Sequence, residues 1–273
     1  MTNTPNAAPR AFDPIRFGEL VQRRGMSLGR PCYYTPVTGS TNSDLMRSLH
    51  STPPNGTLHI ADLQTQGRGR YGNRWSSPRA KENLLFSVLL RPKLQLEKVS
   101  CFTLAVGLAV RDAVAPHLEH SVGIKWTNDV MAAGRKLAGI LVESQLQGNE
   151  MSALVVGIGL NVHMTELPDE ISTIATSMAL LESRCVDREQ LLVDILMALE
   201  RRTEMYEQHG LAAILEDLRR YDAIGGKLVR IGEKTGVARG ITDQGALLLD
   251  QGNPGGLVEL TSGLVQILEC NGD

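Results

Sequence analysis

The sequence predicts an α+β fold: a mixed β-sheet with helices on one side, followed by a small C-terminal β-barrel of the SH3-like type. Three observations predict it. Short apolar runs separated by tight turns recur between residues 33 and 161, as in a meander of strands. Two stretches, 102–118 and 187–208, carry apolar residues at helical spacing. After Tyr221 the chain changes to short apolar runs set off by glycine-rich turns. The chain thereby divides into residues 1–30, a flexible tail and short helix; 31–222, the larger unit; and 223–273, the barrel.

Residues 1–11 are polar and proline-bearing, the composition of a disordered tail. Asp13-Pro14 is an N-cap followed by proline at the first helical position, and Ile15, Phe17, Leu20 and Val21 continue as an apolar stripe to about Arg24. A strand at 33–37 runs into Gly39-Ser40-Thr41-Asn42, where a hydroxyl opens a second helix. That hydroxyl is either a cap alone or a cap that also faces a ligand. Residues 83–91, NLLFSVLLR, are nearly all apolar, which implies a strand buried on both faces. Strand-like runs follow at 124–126, 130–132, 136–143 and 153–161, with turns at 127–129 and 133–135. Asp187 caps the long amphipathic helix, and 211–220 predicts one more. Strands at 227–231, 235–241, 246–250, 257–260 and 265–268 complete the barrel.

Composition excludes several classes. A chain of 273 residues with 42% hydrophobic content can build a proper core. Its net charge of −2 and 4% aromatics argue against a dedicated nucleic-acid binder. No run approaches the roughly 18 apolar residues of a membrane span, and the first residues lack the basic and apolar regions of a signal peptide. Cys32, Cys101, Cys185 and Cys270 are scattered without a CxxC pair, as expected of reduced thiols in a cytoplasmic protein.

The most informative stretch is 64–75, QTQGRGRYGNRW, lying between two apolar strands. Its glycines allow close approach to a ligand. Arg68, Arg70 and Arg74 supply permanently charged planar donors suited to carboxylates and phosphates. Lys125, Asn128 and Asp129 form a polar turn, which is either a surface charge pair or a phosphate-and-metal site. Lys136 heads an otherwise apolar strand in which Gly139 marks a close approach. The Gly157–Asn161 segment, GIGLN, is not a dinucleotide fingerprint, and no P-loop is present.

In this order, STN at 40–42, QxxGRGRxG at 64–72, Trp75, KW-ND within 125–129, RKLAGILVE at 135–143 and GIGLN at 157–161 resemble the biotin–protein ligases of the biotin/lipoate ligase superfamily. The resemblance covers about residues 33–270. It implies that biotin's carboxylate attacks the α-phosphate of ATP, and that a lysine on a biotin carboxyl carrier domain then takes biotin from the adenylate. It further implies that Ser40, Thr41 and Gln64 hold the biotin head, with Asn42, Gly67 and Trp75 as further binding positions of the same motifs. Arg68, Gly69 and Arg70 would close over biotin and adenylate. Lys136 would meet the carboxylate and phosphate, with Gly139 leaving room for the ligand. Lys125, Asn128 and Asn161 would serve the ATP phosphates, and Asp129 would hold Mg²⁺. Arg70, Lys125 and Lys136 are the catalytic candidates.

The chemistry requires these types. Bringing an anionic carboxylate to a triphosphate needs local positive charge. A ureido ring needs neutral hydrogen-bonding groups in an apolar pocket. Residues 174–178 are a candidate adenine shelf. This sequence departs from the family pattern in one turn: the usual proline of KWPND is Thr127. The N-terminal winged helix of the bifunctional members is expected to be absent, since some thirty residues cannot hold it. A monomer or weak homodimer without specific DNA binding is expected. Lipoate–protein ligase is the alternative within the superfamily, and a nucleic-acid-binding module the alternative outside it.

Overall fold

A computed structural model describes residues 9–148, 150–182 and 186–268. The expected tail falls mostly outside them, as do Cys185 and Cys270. Helix α1 (Pro14–Arg23) begins where the Asp13 carboxylate accepts from the Ile15 and Arg16 amides, and it buries Phe17 and Val21. Strand β1 (Cys32–Thr38) leads to α2 (Thr41–Ser48), capped by Ser40. Then come β2 (Leu58–Gln64), β3 (Asn83–Leu90) and helix α3 (Val99–Val114). Strands β4 (Val122–Lys125), β5 (Asp129–Ala132), β6 (Arg135–Gln147) and β7 (Glu150–Asn161) follow. The short α4 (Met178–Leu181) precedes α5 (Arg188–His209) and α6 (Leu215–Arg220). The last unit holds β8 (Leu228–Ile231), β9 (Lys234–Ile241), β10 (Leu247–Asp250), β11 (Leu257–Leu260) and β12 (Val265–Ile267).

The first seven strands form one mixed sheet in the order β1-β2-β3-β7-β6-β5-β4, parallel between β1 and β2 and antiparallel elsewhere. Every residue of β3 is buried, because it lies inside the sheet and both faces are covered. Side chains alternate across a strand. Leu84, Phe86 and Val88 therefore join Val156, Ile158 and Leu160 in the main core beneath α3 and α5. Each such fully buried side chain contributes about 1.5–3 kcal/mol. On the other face Leu89, Ala153 and Val155 pack against Leu45 of α2. The large helices share one face as expected; the structure adds that the short α2 shields part of the other.

Two differences from the sequence reading have plain causes. The segment Leu96–His117 is long and apolar enough to cross a membrane by length and composition, with mean hydropathy 1.4. It is apolar because α3 is wrapped by sheet and helix, with Phe102 through Val110 all buried. The helix expected over 211–220 is split. A 3-10 turn, Gly210–Ala213, precedes α6, and between them Ile214 leaves the helical region to bury itself fully in the core.

The start of α5 is tied to β2 and to the N-terminal segment by buried charges. Arg188 donates to Asp62 (2.9 Å), to the Asn83 carbonyl (2.8 Å) and to the Arg10 carbonyl (2.7 Å). Glu189 accepts from the Asp13 amide (2.8 Å) and pairs with Arg10 and Arg16. The C-terminal strands make a five-stranded antiparallel sheet in the order β11-β10-β9-β8-β12, consistent with an SH3-like unit. It is packed on the first sheet through a continuous core that includes Ile241, Leu247 and Leu249. The Trp126 indole, buried, donates to the Gly245 carbonyl at 3.0 Å. Gly245 is at φ +82°, and a Cβ there would stand 2.5 Å from Cys101 Sγ.

Candidate active site

The polar residues singled out above meet on the α2 face of the sheet. Register explains why. Leu85, Gly159, Gly139 and Asp129 are successive partners across β3, β7, β6 and β5, and Lys125 of β4 continues the line. The next line contains Ser87, Gly157 and Leu141. Residues opposite each other in an antiparallel sheet share a face, so Asp129, Gly139, Leu141, Gly157 and Gly159 line one cavity, with Ser87 and Lys125 beside them on the same face.

One end of the cavity is built from neutral hydrogen-bonding groups. Gln64 Oε1 accepts from the Thr41 amide (2.8 Å) and hydroxyl (3.1 Å). The Thr41 hydroxyl meets Ser87 Oγ at 2.7 Å, and Ser87 donates to Asn42 Oδ1 at 2.5 Å. Asn42 Nδ2 donates to the Leu141 carbonyl (3.2 Å) and to Glu143 (2.8 Å). Ser40 caps α2 through a long 3.5 Å bond and also lines the cavity, so cap and ligand-facing position are the same residue.

The other end is cationic. Lys136 Nζ lies 2.7 Å from Asp129 Oδ1, at an angle that makes it an ion pair rather than an aligned hydrogen bond. Lys125 Nζ stands 3.2 Å from Asp129 Oδ2. Asp129 is buried and thus fixes two ammonium groups side by side. Both of its oxygens face lysines, and among the described residues no three His, Cys, Asp or Glu side chains are grouped to hold a metal. A Mg²⁺ here would rest on Asp129 together with phosphate oxygens of the substrate.

The segment 65–82 between β2 and β3 folds over the cavity as a small hairpin of its own. Trp75 N donates to the Gly67 carbonyl (3.0 Å), Gly69 N to Asn73 (2.7 Å) and Asn73 N to Arg70 (3.1 Å). A Cβ on Gly67 would come within 2.7 Å of the Trp75 carbonyl, so only glycine permits this closure. Arg68 is paired with Glu143 at 2.5 Å. Arg70 donates to the Thr127 hydroxyl and, at 3.2 Å, to the Tyr71 hydroxyl.

The glycines of β6 and β7 serve side chains of the protein itself. A Cβ on Gly159 would stand 2.5 Å from the Trp75 indole, and one on Gly157 2.0 Å from Asn42 Oδ1. Gly139, expected to leave room for the ligand, leaves it for Trp75 and Lys136, which would lie 2.9 and 3.0 Å from a Cβ. Under the hairpin and indole the cavity is about 90 Å³ and partly open, and it adjoins a cleft of about 490 Å³ that shares Ser40, Arg68, Gly69, Asn73 and Arg74 with it.

The structure thus brings Ser40, Thr41, Asn42, Gln64, Arg68 and Gly69 to the cavity wall, together with Arg70, Trp75, Asn128, Lys136 and Gly139. Three expected residues do not line it. Gly67 closes the hairpin, Lys125 is reached through Asp129, and Asn161 is buried with its amide on the Thr176 carbonyl at 2.9 Å. Asn128 is also engaged in holding strands, its Nδ2 on the Ile140 carbonyl at 3.1 Å. Of the candidate shelf, Ala175 lies beside Lys136 in a parallel bridge and Ile174 is 61% exposed, while Thr176, Ser177 and Met178 are buried. Sequence reasoning missed Ser87, Glu143, Thr127 and Leu264 as contributors. Ser87 had a signal, being the lone hydroxyl in NLLFSVLL. Leu264, from the turn between β11 and β12, reaches the cavity wall and had none.

Neutral donors and acceptors at one end and paired cations at the other define a site for a polar, uncharged head carrying an anionic tail. Residues 34–161 match the biotin/lipoate A/B protein ligase family, and residues 227–267 match the biotin protein ligase C-terminal domain. The chain is 37% identical over 225 residues to the biotin–[acetyl-CoA-carboxylase] ligase of Mycobacterium tuberculosis, covering 79% of this chain and 81% of that one. It is 34% identical over 242 residues to the bifunctional ligase/repressor BirA of Bacillus subtilis, covering 86% and 73%. Among solved structures, the Aquifex aeolicus biotin protein ligase in complex with biotin and ATP superposes with a TM-score of 0.75 and 28% identity, over 88% of this chain and all of that one. The chain belongs to the biotin protein ligase family.

Proposed function

We propose that residues 31–222 join biotin to AMP and pass it to a lysine of a biotin carboxyl carrier domain, with 223–273 as the SH3-like unit that reaches the site through Leu264. A biotin carboxylate oxygen attacks the α-phosphorus of ATP, the bond to the β-phosphate breaks, and pyrophosphate leaves. The carrier lysine's amine then attacks the acyl carbon of biotinyl-AMP, an amide forms, and AMP leaves. The observation that carries this reading is the polarity of the cavity. The Gln64–Thr41–Ser87–Asn42 network suits the ureido ring, and the Lys136–Asp129–Lys125 cluster suits the carboxylate and phosphate. Preorganised cations in a partly enclosed site stabilise the charge that gathers in the transition state. Arg68 and Arg70 close the site from above and exclude water from the anhydride. A cytoplasmic location and the absence of specific DNA binding belong to the same proposal.

The direct test is incubation with biotin, ATP, Mg²⁺ and a carrier domain, followed by intact-mass analysis for one added biotin. Asp129→Asn, which releases both lysines, is expected to suppress adenylate formation while biotin affinity changes by less than tenfold. Loss of biotin affinity by tenfold or more, about 1.4 kcal/mol, would reverse the assignment of the two ends.

A further inference from the structure

We propose that Thr127 is a positioning residue for Arg70, its hydroxyl latching the arginine hairpin over the cavity. The proposal rests on the function assigned above. Arg70 Nη1 donates to Thr127 Oγ1, and Nη2 donates to the Tyr71 hydroxyl at 3.2 Å. The guanidinium carbon also lies 5.0 Å from the centroid of the Tyr71 ring. A guanidinium has five N–H donors, so three remain for an anion while the latch stays made.

Thr127 is a fixed anchor. It is 7% exposed. Before it stands Trp126, bonded to the C-terminal unit, and after it Asn128, bonded to β6. Arg68 of the same hairpin is fastened separately, to Glu143 of β6. The two arginines assigned to biotin and adenylate are thus held on different elements, and Thr127 holds Arg70. Proline, the usual residue of this turn in the family, carries no acceptor on its side chain. The hydroxyl is a property of this chain.

When the hairpin lifts to admit a ligand, the Arg70–Thr127 bond breaks. Once the ligand is seated, the bond re-forms, because Arg70 has donors to spare. A bond present in both the empty and the loaded closed states slows opening of each. It changes equilibrium affinity little and the escape of bound adenylate much.

The test compares Thr127→Val, which keeps the branched shape without the acceptor, with Thr127→Ser, which keeps the acceptor. In ligand-free protein, trypsin cleavage after Arg68, Arg70 and Arg74 is followed by mass spectrometry. Thr127→Val is expected to be cut about tenfold faster than wild type, and Thr127→Ser at the wild-type rate. In protein loaded with biotinyl-AMP and chased, Thr127→Val is expected to release adenylate about tenfold faster, with biotin affinity within threefold. Equal cleavage and release for wild type and Thr127→Val would overturn the latch. So would Thr127→Ser behaving like Thr127→Val, which would assign the effect to shape. If Thr127→Val fails to fold, Arg70→Met removes the donor from the other side while Arg68 and Arg74 remain as cleavage sites, and unchanged trypsin protection there overturns the proposal equally. The trypsin arm needs no biotin chemistry, so it reads the latch even if wild type forms no adenylate, an outcome that would strike the functional assignment instead.

Discussion

On β7, Val156, Ile158 and Leu160 point into the main core, while Gly157, Gly159 and Asn161 alternate with them and point to the cavity face. One face is large and aliphatic because α3 and α5 close on it and every methyl group removed from water stabilises the fold. The other is stripped to hydrogen atoms at two positions because Asn42 and Trp75 must lie on the strand itself. Both faces are close-packed. They differ in what fills them: on the core face the strand's own side chains, on the site face side chains delivered by α2 and the hairpin. A strand can therefore be rigid and yet carry a site that opens, since the movable parts belong to other elements.

Adjacent positions on β7 give the sharpest way to break that comparison. Val156→Ala removes two buried methyl groups beneath the helices and is expected to cost about 1.5–3 kcal/mol of stability, measured by urea denaturation, with biotin affinity in the folded protein unchanged. A large loss of affinity at unchanged stability would mean that the two faces are not independent. Gly157→Ala, one residue away, is expected to reach the site instead. Its Cβ would displace the Asn42 amide from its bonds to Ser87, Leu141 and Glu143. Calorimetry should show biotin affinity lower by about tenfold or more, 1.4 kcal/mol, a loss the core truncation does not cause.

The smallest expected effect lies outside both faces, at the cap of α5. Burial pushes the Asp187 carboxyl up, but hydrogen bonds from Arg16 and the Gln190 amide outweigh it and hold the group down at about 2, against 3.8 for a free side chain. A depressed carboxylate stabilises the folded state above the unfolded value and loses that contribution as pH falls through the folded one. The window is therefore pH 4 down to 2. Arg16→Ala should lower the melting temperature slightly at pH 5, by the equivalent of less than about 1 kcal/mol because the pair is partly exposed. The difference between variant and wild type should shrink as pH is lowered through that window. A difference that is constant with pH would show that Arg16 acts through packing rather than charge.

Much of this molecule was legible in its sequence. Helix starts at Asp13, Ser40 and Asp187 are local signals, since a cap side chain bonds amides two or three residues on. Strand positions were readable from apolar runs and turns, and the change of character after Tyr221 separated the two sheets. The site motifs were readable because arginines, hydroxyls and amides stood out against apolar strands. Where local reading failed, distant contacts decided. The burial of Ile214 broke a helix that spacing alone extends, and the encasing of α3 made a core helix as apolar as a membrane span.

By itself the sequence determined which segments are strands and helices, and which residues carry chemistry, because period, capping and residue type act over a few positions. Only the tertiary structure decided who meets whom. Leu85, Gly159, Gly139, Asp129 and Lys125 form one line across five strands through register. A shift of one residue would turn each of them to the opposite face. Register also placed Asp129 between two lysines, where it holds both ammonium groups. Folding of the hairpin onto the sheet brought Trp75 over the glycines, Arg68 to Glu143 and Arg70 to Thr127. Those pairings join residues far apart along the chain. They are fixed by the balance of packing over the whole sheet, which no local pattern encodes.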